Sequence, residues 1–266
     1  MKLDARGEAP VASPVAGDEA VASTPSAWEQ YRLFAFPAVF GLMWLVSATG
    51  LGSFILRTFF GMWLHELGHA TAAWLTGRWA LPVPWFTFSF GRSLIVSALM
   101  FGGGAALARF GWQRRSQTTM GLGAVWLMAS LVGHLAPTSF QEPFFTFAGD
   151  AGAMVFGALV SCGFLVRSPL RIFQGGLRWG WLVIGAASWA DAFRVWWGSR
   201  TDADQIPFGI EDGWPSDPSR LVDEFGWDTR TMVQRFVAVG VLSLSGATAA
   251  FVSAVIREQL TRRRSA

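Results

Sequence analysis

Two histidines four residues apart, with a glutamate beside the first, form the segment of this chain best equipped for chemistry: His65-Glu66-Leu67-Gly68-His69. On a helix, residues four apart share a face, so both imidazoles reach one point in space. Zinc favours nitrogen ligands in that arrangement. Glu66, next to that face, is placed to take a proton from water and pass it to a leaving amine. The HExxH pattern alone is common, and its surroundings make it specific here. The motif interrupts an apolar stretch, where each ionisable group costs on the order of 2.5–3.5 kcal/mol to insert near a bilayer centre. A bound metal offsets that cost. Gly61, His65, His69, Ala73 and Gly77 recur at spacing four, so the ligand face otherwise carries small residues that let another chain approach closely.

The elements that must position this motif are apolar. Of 266 residues, 52% are hydrophobic and only 15% are charged, against about 25% charged in a soluble domain. Seven apolar segments, at 32–49, 53–76, 93–110, 118–136, 144–167, 176–198 and 232–256, are near the ~20 residues a membrane-crossing helix needs. The expected fold is therefore an all-α, polytopic transmembrane bundle of about six or seven spans. The short Gly50-Leu51-Gly52 junction leaves the first segment as a span or a re-entrant helix. Residues 1–30 read as a flexible tail, 31–258 as one membrane domain and 259–266 as a basic tail. Pro82 and Pro84 exclude a regular helix over 78–92, and the alternation from Trp85 to Phe90 predicts a surface or re-entrant β-hairpin. Residues 199–231 form an extramembrane cap loop of Gly-Pro turns. Its acidic residues, Asp212, Asp217, Asp223 and Glu224, match no calcium-loop spacing.

Arg109, Arg114, Arg115, Arg167, Arg171 and the C-terminal Arg257 and Arg262–Arg264 alternate with a loop lacking basic residues. This places the C-terminus in the cytoplasm. A net charge of +3 without a basic patch excludes a nucleic-acid partner, leaving the lipid bilayer as the chain's environment. The single cysteine, Cys162, excludes a disulfide and a cysteine-based zinc site.

On HELGHATAAWLTG (65–77) and FTFSFG (86–91), the chain resembles the site-2 proteases, intramembrane zinc metalloproteases. The resemblance covers at most a quarter of the sequence. It implies two histidines and one aspartate on Zn²⁺, the motif glutamate as catalytic base, and transmembrane proteins as substrates. The aspartate is expected in a later span. His134, Asp150 and Asp191 are the candidates, and all lie at a similar depth, about 9–10 Å or slightly less from the outer ends of their segments. Asp150, in Gly149-Asp150-Ala151-Gly152, partly matches the family's Asp-Gly pattern and has no basic neighbour in sequence. The family's Asn is absent, and Ala151 stands where Gly is usual. Asp191 has an alternative in a helix-surface ion pair with Arg194. His134 is either a group at the site or an imidazole bonded to backbone. Two other classes fit the same residues: a zinc-binding scaffold or chaperone without hydrolysis, and a transporter relaying protons or metal.

Overall fold

The computed structural model describes residues 27–166, 170–211 and 213–265. The expected tail over 1–30 lies almost wholly outside these. From Leu33 onward the chain forms one compact unit. A helix stands at each of the seven apolar segments: α1 (Ala27–Val46), α2 with α3 (Gly50–Leu56 and Met62–Leu75), α4 (Leu94–Gln113), α5 (Gln117–Leu135), α6 (Thr138–Cys162), α7 (Gly175–Gly198) and α9 (Thr229–Ser265). Within the cap lies the short helix α8 (Asp217–Asp223). Thr49 caps α2 by accepting the Gly52 amide at 3.0 Å. The second segment is not one regular helix. A π-turn over Arg57–Gly61 joins α2 to α3. Such wide turns often accompany functional sites.

Among the described residues, four helices are long and apolar enough to cross a bilayer: Leu94–Gln113, Gln117–Leu135, Thr138–Leu165 and Thr229–Thr261. The other three segments fall short of that measure. Only 14 residues of α1, Leu33–Val46, form an apolar stretch, the π-turn divides the second, and Arg178, Asp191 and Arg194 interrupt α7. Large apolar side chains point outward. On α4, Leu94, Ile95 and Leu99 are exposed, and on α5, Leu122, Val125 and Leu135. A water-soluble monomer rarely exposes so much contiguous apolar surface. The protein is therefore a membrane-like all-α bundle that turns many large apolar side chains outward around an aromatic core.

Small residues mediate the α3–α6 and α6–α7 contacts, as is common between membrane-spanning helices. In α6, 72% of the span is buried, and its face reads Ala148, Gly149, Ala151, Gly152, Ala153, Gly157 and Ala158. A Cβ on Gly68 of α3 would strike the Ala148 carbonyl oxygen, and one on Gly152 would strike the Gly68 Cα. The α3 and α6 backbones thus meet at two glycines. Gly157 and Gly185 make the equivalent approach between α6 and α7.

Residues 78–92 form the expected hairpin, β1 (Arg78–Val83) antiparallel to β2 (Phe86–Arg92), with Leu81 opposite Phe88 and Val83 opposite Phe86. Trp85 turns it at φ 68°. The hairpin's sidedness is opposite to that of a soluble sheet. Trp79, Leu81, Phe86, Phe88 and Phe90 are exposed, while Ala80 and Thr87 are buried against the bundle. Arg78 pairs with Glu142, tying the hairpin to the start of α6. In the cap, a two-residue ribbon, β3 (Ile210–Glu211) and β4 (Trp214–Pro215), precedes α8.

Candidate metal centre

The close α3–α6 contact determines what surrounds the histidines. His65 and His69 sit one turn apart, with ring centroids 4.7 Å apart and planes at 81°. His65 Nδ1 donates to Asp150 Oδ1 of α6 at 3.0 Å. His69 Nδ1 donates to the Phe145 carbonyl at 2.8 Å, and its ring lies against the Phe145 ring. A carboxylate and a carbonyl only accept, so both Nδ1 atoms carry their protons. Each neutral imidazole is left with an Nε2 lone pair, and the two Nε2 atoms face one another at 3.1 Å. Two acceptors at that distance repel unless a cation lies between them.

A third acceptor comes from outside the bundle. Asp217, the first residue of α8, places Oδ2 3.1 Å from His69 Nε2 and 3.4 Å from His65 Nε2. That oxygen is buried and has no hydrogen-bond partner. His65, His69 and Asp217 are a group able to hold a metal ion. A tetrahedral zinc with bonds of about 2.0–2.2 Å separates its ligand atoms by roughly 3.3–3.5 Å. The three observed edges lie at or slightly inside that span. Gly149 makes room for the rings: a Cβ there would lie 2.5 Å from His65 Cε1 and 2.6 Å from each Nε2.

Asp150 is not in this cluster. The sequence pointed to it as the third metal ligand. The structure places it at the opposite nitrogen of His65, where its other oxygen accepts Trp196 Nε1 at 2.8 Å. Trp196 is fully buried and stacks on Phe236 at 3.8 Å. This is the carboxylate–histidine pairing that commonly fixes the tautomer of a metal-binding imidazole.

Glu66 is buried. Its Oε2 lies 2.7 Å from the Thr87 hydroxyl, which is also 2.9 Å from the Glu66 carbonyl. The inward face of β2 therefore holds the Glu66 carboxylate. Asp191 accepts the Ser53 hydroxyl at 2.6 Å, whereas Arg194, its expected ion-pair partner, lies over the Trp44 ring at 5.4 Å. Asp191 lines a small pocket of about 10 Å³ behind His65, together with Arg57, Asp150 and Ser188. It belongs to the polar surroundings of the site and not to the three-atom cluster. His134 is bonded elsewhere. Its Nδ1 reaches the Ser130 and Leu75 carbonyls at 2.8 and 3.0 Å, and its Nε2 the Ser97 hydroxyl at 2.8 Å. It braces the end of α3 against α4 and α5.

Sequence reasoning missed Asp217 and Thr87. Asp217 stood among four acidic residues of one loop, and only its place before Pro218, at a helix start, sets it apart. Thr87 is marked by the polar–aromatic alternation of β2, which gives its side but not its partner. Comparisons with protein-family models, curated proteins and solved structures give no match, so the site's chemistry is argued from its own geometry.

Proposed function

We propose that the chain is an intramembrane zinc metalloprotease that hydrolyses peptide bonds of membrane-embedded proteins. The observation that carries this reading is the convergence of two imidazole lone pairs and an orphaned carboxylate oxygen at tetrahedral spacing, within the motif that also supplies Glu66. His65 and His69 would hold zinc through Nε2 and Asp217 through Oδ2, with Asp150 holding His65. Bound there, zinc would supply Lewis acidity to a peptide carbonyl and to water. Three protein ligands leave one tetrahedral position open, as catalytic zinc sites require.

Glu66 then acts as base and acid in turn. It accepts a proton from the attacking water as the water oxygen bonds to the carbonyl carbon. It returns that proton to the amide nitrogen as the C–N bond breaks. Thr87 keeps the Glu66 carboxylate on the β2 side throughout. A substrate helix must unwind locally to expose its carbonyl, and the hairpin edge beside Glu66 suits an extended chain. All seven apolar segments then lie within or across the membrane, with the arginine-rich loops and the C-terminus in the cytoplasm.

The test compares membranes from cells producing the wild type with those producing Glu66→Gln, by sequencing new protein N-termini. This reading expects zinc-dependent N-termini within transmembrane segments, absent with Glu66→Gln although that variant retains zinc. Zinc retention by both proteins with identical N-termini would support a metal-binding scaffold instead.

A further inference from the structure

We infer that the metal latches the extramembrane cap to the bundle: the ion held by His65 and His69 also holds Asp217, so that metal loading and docking of the start of α8 are one event. This rests on the metal site proposed above and adds a property that the site's chemistry does not require.

The cap has two apolar feet. Ile206 and Leu221 are buried in the main core. Near the second foot, the Trp227 ring lies 5.6 Å from Phe147 of α6 and beneath the Arg235 guanidinium at 4.2 Å. Between the feet, Phe208, Ile210 and Trp214 are exposed. Among the described residues, the serine hydroxyls of this stretch bond within it. Ser216 Oγ donates to the Pro207 carbonyl at 2.8 Å, and Ser219 Oγ accepts the Gly209 amide at 3.0 Å. They fix the stretch's shape but not its attachment to α3. Among the described residues, the Asp217 carboxylate reaches α3, at His65 and His69.

That contact is acceptor against acceptor. Asp217 Oδ2 has no hydrogen-bond donor, and it faces two Nε2 lone pairs whose tautomers Asp150 and Phe145 determine. A buried carboxylate oxygen without a donor or cation is strongly disfavoured. With a divalent cation between the three atoms, the same geometry becomes attractive. Linkage is reciprocal: if the docked cap tightens the metal, the metal stabilises the docked cap to the same degree.

The experiment is hydrogen–deuterium exchange of the full chain in lipid nanodiscs, metal-free and with zinc sulfate, with bound zinc counted in parallel. In the wild type, zinc is expected to slow amide exchange over 213–220 by at least about tenfold. His69→Ala, which leaves the cap sequence intact, is expected to lose that slowing. Asp217→Ala is expected to bind zinc more weakly and to show no slowing even at saturation. Asp223→Ala, at an exposed acid on the same helix, is expected to behave as the wild type. Bound zinc without slowing in the wild type, or slowing that persists in Asp217→Ala, overturns the latch and leaves the protease reading intact. Absence of zinc binding in the wild type overturns both.

Discussion

Replacing Gly149 by alanine puts a methyl carbon 2.6 Å from the Nε2 atoms of His65 and His69, which would hold a metal, and 2.5 Å from His65 Cε1. Ordinary van der Waals contact needs at least 3.4 Å, so the rings or α6 must give by about 0.8 Å. Neither yields easily. His65 is tied to Asp150 and His69 to the Phe145 carbonyl, and three residues on, Gly152 already touches the α3 backbone. Overpacking of this size costs about 1–3 kcal/mol of stability. Its effect on the metal is larger, because a site misplaced by about 1 Å loses function on the order of 100-fold. Zinc affinity, measured by competition with a chromophoric chelator, should therefore fall by roughly that factor, with a smaller loss of thermal stability. Gly121→Ala on α5 is the control, since nothing lies within 4 Å of its Cβ. Wild-type zinc affinity in Gly149→Ala would refute the placement of the Nε2 pair beneath α6.

Trp196→Phe removes the donor to Asp150 Oδ2 while keeping most of the stack on Phe236. Stability should fall by about 1.5–3 kcal/mol, as for a hydrogen bond to a charged group, and denaturant unfolding of zinc-free protein in detergent measures it. Asp150→Asn should weaken zinc about 10- to 100-fold, as loss of an imidazole's carboxylate partner commonly does, without removing a ligand; metal titration checks this. Thr87→Val should slow peptide hydrolysis while leaving bound zinc unchanged, and Thr87→Ser should restore the rate; equal rates for all three would remove Thr87 from the account.

The parts of this molecule legible in the sequence are those fixed by local spacing. The i, i+4 placement of His65 and His69 follows from one helical turn, and the prolines at 82 and 84 with the alternation after them give the hairpin. The apolar segments are helical because a helix satisfies its backbone hydrogen bonds locally, as an apolar environment demands. The third acceptor was not legible, because it depends on a contact between residues about 150 positions apart, across a cap whose fold follows no periodicity. Asp150 illustrates the limit. Its depth and apolar surroundings made it a candidate ligand, and the structure sets it against His65 Nδ1. Which nitrogen of His65 it meets depends on the packing of Gly68 against Gly152 and on the indole of Trp196, and neither leaves a mark in the sequence. The same holds for Asp191, whose neighbour Arg194 is three residues away yet turns to Trp44.

His65, His69 and Asp217 together should hold zinc, and zinc-edge X-ray absorption on detergent-purified, zinc-loaded protein decides it by comparing the wild type with Asp150→Asn and Asp217→Asn. The predicted result is one zinc per chain, with two imidazole nitrogens and a carboxylate oxygen among light ligands at about 2.0–2.2 Å, unchanged by Asp150→Asn and altered by Asp217→Asn. A coordination sphere altered by Asp150→Asn and untouched by Asp217→Asn, or no bound zinc, would contradict it.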